Sequence, residues 1–427
     1  MNRHPAPAFD LFNVFFQRIY EPSIHIVLSF DGRLDETKMK TATERLIGAN
    51  PYLGSRFRVV DGVPAWEEVP DDRREVAFSF SEEDRDPEIP PPPLDVYKAP
   101  QVRVGLFREE AGDTLVITIH HGFCDVSGLF SLTRDLFSTY RGIFNDPGYR
   151  PPSTGAYDRG TNRILSRYSE EERTRARDGT APFIDRWRFP VERTGRGRPR
   201  ISSVTLAPDR LRAISSFAKE HGATVNDALI GAYFLAFLRV RDDPADRDAP
   251  RGILTSADMR RSLPDPDACP PMNLSIAFEL TLSVPEGTGL AEIIGDIAAE
   301  TTLCKAGAFD AGCILFYEDL HARGVAAVDA FFDEMADSYM SSGLKSPVFS
   351  NLGIIDEDDF LPVPGPDGAA LGLRDARIVP CVCWPCGFLT VASTFRGRLT
   401  LATAYEEGPY SAATVERFLG SMDESLP

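Results

Sequence analysis

Residues 114–120 (TLVITIH) form a run of β-branched and apolar side chains that stops at His121-Gly122, and a helical spacing takes over soon after. A run of this composition reads as a buried strand. Beyond Ser127 and Gly128, the residues Leu129, Leu132, Leu136, Phe137 and Tyr140 recur at helical intervals and define one apolar face. Asp125 or Ser127 is the N-cap of that helix. The stretch therefore folds as strand, tight loop, helix, and places His120, His121 and Asp125 in one turn. Successive strand residues point to opposite faces, so one histidine can face a cleft while the other turns into the packing behind it. An imidazole at such a position suits proton transfer, because its ordinary pKa of about 6.5 leaves much of it neutral near pH 7.

The pattern His120-His121-x-x-x-Asp125, with Gly128 near the helix start, resembles the signature of the chloramphenicol acetyltransferase-like superfamily. That superfamily includes condensation domains of nonribosomal peptide synthetases, alcohol acetyltransferases, polyketide-associated acyltransferases and the plant BAHD enzymes. Further stretches fall in the order of free-standing condensation-like acyltransferases. Residues 24–30 resemble their first strand, followed by a helix over 35–49 and the turn Asn50-Pro51-Tyr52-Leu53. Residues 222–228 resemble the start of their central helix, Asp258-Met259-Arg260 their D-x-R segment, and Ser350-Asn351-Leu352-Gly353 their S-N-x-G segment. The similarity covers nearly all of the chain. One departure is plain: Val126 stands where the superfamily usually has glycine. Valine neither adopts positive φ readily nor admits a close neighbour, so the expectation is a differently shaped thioester channel.

The resemblance implies an α/β fold of two chloramphenicol acetyltransferase-like lobes, mixed sheets with flanking helices, enclosing a tunnel. The first lobe spans 1–180 and carries the histidine motif, an arginine-rich crossover spans 181–200, and the second lobe spans 201–427. The implied activity is transfer of an acyl group from a thioester, acyl-CoA or a phosphopantetheinyl carrier protein, to an alcohol or amine. In that scheme His121 is the general base and His120 supports it. Asp125 is structural, paired with Arg260 to hold the loop. Gly128, Arg260, Ser350 and Asn351 are assigned to binding. Ser350 or Asn351 would donate a hydrogen bond to the developing oxyanion, although a strand-end turn accounts for both residues equally well. The alternative is a catalytically silent condensation-like module that holds a carrier protein or an acyl ligand. No tightly bound cofactor and no metal are expected, the thioester entering as co-substrate. The expected partners are a small-molecule acyl acceptor and an acyl or peptidyl carrier protein.

Composition narrows the classes further. A length of 427 residues exceeds a usual single core, and 43% hydrophobic with 26% charged residues is a globular balance. A net charge of −18 leaves no basic excess to neutralise phosphates, which excludes a nucleic-acid role. Arg186, Arg188, Arg193, Arg196, Arg198 and Arg200 cluster between the lobes, read as a solvated linker in preference to a docking patch for phosphate or an acidic carrier. Seven cysteines, an odd number, point to reduced thiols and a cytoplasmic protein. Cys381-x-Cys383-x-x-Cys386 lacks a fourth ligand at motif spacing, so packed free thiols are expected there. The N-terminus has no basic region followed by an apolar run, and residues 228–240 are too few to span a bilayer, so neither a leader nor a transmembrane segment is expected. His25 lies in an alternating strand and reads as structural. Elsewhere the chain reads as a strand over 202–206, a helix opened by Pro208 and closed before Gly222, a hairpin of 388–395 and 398–405 around Arg396-Gly397, and a last helix using Val415, Phe418, Leu419 and Met422.

Overall fold

The structure, a computed structural model, describes residues 2–179, 183–266, 268–306 and 309–427. The boundary drawn at 180/181 between first lobe and crossover falls outside the described residues.

The strand Ser23–Phe30 points Ile24, Ile26, Leu28 and Phe30 into one core, as its alternation requires. It lies antiparallel to Gly112–His120, with Ser23 opposite His120 and His25 opposite Thr118. Val102–Glu109 follows on the other side, and Phe78–Ser81 closes that edge in parallel. The opposite edge is Leu373–Val379, a strand from late in the chain that pairs with Ser23–Phe30. Two helices, Glu36–Ala49 and Val126–Asn145, cover one face of this five-stranded sheet and complete its core.

The second sheet has six strands in the order Ser275–Leu282, Arg251–Asp258, Val348–Ile354, Leu389–Phe395, Arg398–Glu407 and Arg198–Leu206. The second to fourth strands of that series, from Arg251–Asp258 to Leu389–Phe395, run parallel. The hairpin turns at Arg396-Gly397, both with positive φ. Its buried face packs on Val225–Arg241, a helix buried nearly all round and opened by a Thr224/Asp227 capping box. Pro208–Glu220 and Ala412–Ser425 flank it; Pro208 sits at the first helical position, and Gly222 follows the helix with φ 67°. This is the two-lobed α/β architecture with mixed sheets and flanking helices.

The sheets meet through a small cluster of Val27, Val116 and Val379 against Ile201 and Ala404. Arg198–Leu206 begins before Ile201, so the last arginines of the crossover are sheet residues. Among the described residues no single helix is long and apolar enough to cross a membrane; one pair, Pro208–Glu220 with Val225–Arg241, meets the length and composition together but is bent by 100°.

Candidate active site

The strand Gly112–His120 ends at His120, which is 1% exposed and faces inward. Its Nδ1 accepts the Gly122 N–H at 2.9 Å, which places the ring hydrogen on Nε2. Burial first, then the neighbouring His121, hold its pKa at about 3, so it stays neutral at any ordinary pH. His121 comes one residue later and is only partly buried. Burial lowers its pKa from the ordinary value, opposed by a bond to its own carbonyl and by the Asp125 carboxylate.

The helix Val126–Asn145 starts at Asp125, not Ser127: Asp125 Oδ1 caps it by accepting the Gly128 N–H at 2.9 Å. The other carboxylate oxygen accepts from Arg260 Nη1 at 2.7 Å and from the Leu274 N–H at 2.7 Å. The cap and the ion pair are thus one group. Arg260 and Asp125 side chains are 8% and 6% exposed. Burial works against the Arg260 charge, and the Asp125 carboxylate outweighs it, so its pKa is raised. Arg260 also donates to the Met272 carbonyl at 2.6 Å and lies 3.1 Å from Asp258. Ser127 Oγ donates to Asp258 from the helix side at 2.7 Å.

Val126 sits in the first helical turn, partly buried against the first core, and is not among the residues with positive φ. Valine is unstrained here, so its effect on the loop is one of volume alone. Gly128 has the tighter constraint: a Cβ there would lie 2.8 Å from Cys124 Cβ and 3.4 Å from the Met272 nitrogen. Its place is in the close approach of the helix to residues 271–274. Cys124 beneath it is fully buried, and burial pushes its thiol well above the ordinary value. Ser350 Oγ bonds Ser256 Oγ, and Asn351 Oδ1 accepts the Gly353 N–H at 3.1 Å. Neither hydrogen-bonds the motif loop; they stand on the neighbouring strand, reached through Ser256 and then Asp258.

Three residues that the motifs did not mark complete the arrangement. Asn273 Nδ2 donates to the His121 carbonyl at 2.7 Å and stands 2.7 Å from His121 Nδ1. Its Oδ1 accepts the Ser275 N–H at 3.0 Å, which fixes the amide orientation. Nε2 of His121 makes no hydrogen bond to described residues and is not among the buried unpartnered polar atoms. Arg159, 2% exposed, forms a two-pronged pair with Asp10 at 2.7 and 2.9 Å and donates to the carbonyls of Phe123 at 2.6 Å and Pro271 at 3.1 Å. Four aromatic rings, Tyr52, Trp66, Phe123 and Tyr157, surround its guanidinium. A cleft of about 330 Å³ is lined by Arg159, Glu318 and His321 but not by His121, so cavity size alone does not lead to the motif.

The remaining sequence candidates lie elsewhere. Cys381, Cys383 and Cys386 are buried free thiols whose pKa values burial raises. Among the described residues no group of three or more His, Cys, Asp or Glu side chains could hold a metal ion. His25 bonds Thr118 Oγ1 at 2.8 Å inside the sheet. Of the arginine cluster, Arg188 donates to the Gly343 carbonyl at 2.9 Å, Arg196 pairs with Glu406 and stacks 4.1 Å from Trp384, and Arg200 pairs with Glu407 at 3.2 Å. Their charge is thus partly taken up within the chain.

Comparison with known proteins places this fold. The structure is similar to the first condensation domain of the CDA synthetase, with 16% identity, a TM-score of 0.68, and 100% and 97% of the two chains covered. It is similar to a trichothecene 15-O-acetyltransferase from Fusarium sporotrichioides, with 15% identity, a TM-score of 0.70, and 99% and 94% covered. A third is polyketide synthase associated protein 5 from Mycobacterium tuberculosis, at 16% identity, TM-score 0.64 and 96% of each chain. The chain therefore has the fold shared by condensation domains and acetyltransferases. By sequence it is 26% identical over 244 residues to uncharacterized proteins from two Mycobacterium tuberculosis strains. That match spans 52% of this chain and about half the length, 54%, of those relatives. No family model matches.

Proposed function

We propose that this protein transfers an acyl group from a thioester to a hydroxyl or amine, with His121 Nε2 as general base. The observation that carries the reading is that Nδ1 of His121 is engaged on the protein side while Nε2 makes no hydrogen bond to the described residues. Nε2 takes the proton from the acceptor as its oxygen or nitrogen attacks the thioester carbonyl. The tetrahedral intermediate then collapses, the C–S bond breaks, and the imidazolium returns the proton to the leaving thiolate. No acyl-enzyme is needed. Asp125 and Arg260 hold the loop and touch neither reactant. The likeness to condensation domains and to an acetyltransferase agrees with this chemistry. The donor is an acyl-CoA or an acylated phosphopantetheinyl carrier protein.

The test is thiol release by purified protein with a panel of acyl-CoA and carrier-bound donors and small alcohols or amines. Turnover by the wild type and a loss of about 10²- to 10⁴-fold in His121→Ala are expected, the usual contribution of a positioned base. Undiminished turnover in His121→Ala overturns the mechanism. Absence of turnover with every donor favours a silent binding module.

A further inference from the structure

The amide of Asn273 is held by Ser275 so that it offers N–H, not oxygen, to His121. One hydrogen goes to the His121 carbonyl and the other faces Nδ1, both at 2.7 Å. A neutral imidazole has one hydrogen to place. If the amide donates to Nδ1, the ring hydrogen sits on Nε2, and the open nitrogen is a donor. If Nδ1 keeps the hydrogen it donates to the residue's own carbonyl, and Nε2 has a free lone pair. The amide acts on both states, since it shares that carbonyl in one and occupies Nδ1 in the other.

The segment that presents Asn273 is unusually well fixed. Pro271 O accepts from Arg159 and from Tyr157 Oη at 2.8 Å, Met272 O accepts from Arg260, and the Leu274 N–H binds Asp125. Each residue from 271 to 274 is thus tied either to the motif loop or to an arginine that itself binds the loop. A side chain delivered on such a segment has little freedom to leave the ring.

We infer that Asn273 is a positioning residue that sets which nitrogen of His121 carries the ring hydrogen, and so whether Nε2 meets a bound group as proton acceptor or as donor. This rests on the reading of His121 as a base for its catalytic meaning, but the hydrogen placement is measurable without turnover. The other groups facing the ring are His120, Asp125 with its partner Arg260, and Tyr20, whose ring centroid is 6.4 Å away. All of them are unchanged in the variants below.

The experiment is nitrogen NMR of ¹⁵N-histidine-labelled protein across pH, with the His121 signals assigned by their loss in His121→Gln. Wild type is compared with Asn273→Asp and Asn273→Ala. In Asn273→Asp a carboxylate replaces the amide next to Nδ1; the ring hydrogen moves to Nδ1 and proton affinity rises about tenfold or more, as expected for an opposite charge within about 4–6 Å. In Asn273→Ala the Nε2–H share of the neutral ring falls without that rise. Unchanged His25 signals certify that each variant is folded, and Asn273→Ser substitutes for either one that is not. Wild-type nitrogen shifts and titration in the folded variants overturn the inference. Thiol release by the same proteins separates the two ideas: a changed tautomer with turnover surviving His121→Ala rejects the base and keeps the role of Asn273, while an upward shift of the acid limb in Asn273→Asp supports both.

Discussion

Arg159 and Arg260 grip the motif loop from two sides, and they do it differently. Arg260 binds a side chain of the motif, Asp125, and shares a second carboxylate, Asp258. Arg159 hydrogen-bonds the motif only at a main-chain atom, the Phe123 carbonyl, touches the Phe123 ring beside it, and takes its countercharge from Asp10, far away in sequence. Each also holds a carbonyl of the 271–272 segment, so both couple the loop to the strand that follows it. The contrast shows that a loop can be fixed through chemistry its own side chains reveal, or through backbone that any sequence would supply.

Removing the fully enclosed side should cost most. Arg159→Ala leaves Asp10 with a buried charge and, among the described residues, only Trp66 Nε1, at 2.7 Å, as hydrogen-bond partner. A loss of about 3–5 kcal/mol in urea unfolding is expected, as for a broken buried pair. Asp125→Ala comes next. It removes the helix cap, worth about 1 kcal/mol, and strands Arg260, which keeps Asp258; a total between the cap alone and the Arg159 value is expected. If Arg260→Ala equals or exceeds Arg159→Ala in unfolding free energy, the two sides do not differ as described.

The histidines sharpen the comparison through pH. The folded pKa of about 3 for His120 lies below the unfolded value near 6.5, so the unfolded chain binds the proton first. Stability from this group is whole above about pH 6.5 and falls toward pH 3, by up to about 1.4 kcal/mol per pH unit. His25, also held at about 3 by burial, adds a similar slope. Urea titrations at several pH values should show His120→Gln flattening that slope by about one proton. A slope unchanged in His120→Gln rejects the buried neutral ring. The smallest effect is at Val126, where glycine in the first helical turn should cost about 0.5–1 kcal/mol. Kinetics with donors of graded size then tell whether its volume shapes the thioester path: broader acceptance in Val126→Gly supports that role, and an unchanged donor profile rejects it.

Side-chain periodicity made much of this fold legible. The alternation of Ile24, Ile26 and Leu28, the helical stripe from Leu129 to Tyr140, and the Pro208 and Gly222 boundaries are local facts with local causes. Asp125 could be read as a cap or as an ion-pair partner because each role has a residue signature, and its two oxygens divide the roles. Asn273 and Arg159 were not legible. Asn273 stands at the foot of an alternating strand with no motif around it, and Arg159 meets the loop and the 271–274 segment through carbonyl oxygens, which leave no trace in residue type, and finds its carboxylate in Asp10, far away in sequence. Asp10 carries no motif in the sequence, and the structure places it in the first turn of a short helix. Leu373–Val379 was not singled out, and its neighbour Ser23–Phe30 is set by long-range closure that no local pattern encodes.

That late strand bears on how the molecule can be divided. A piece cut at the crossover would expose the backbone N–H and C=O groups of Ser23–Phe30 along a long apolar rim, inviting other chains to stack there. Expression of the front portion alone should yield aggregates, which co-expression of the remainder should relieve.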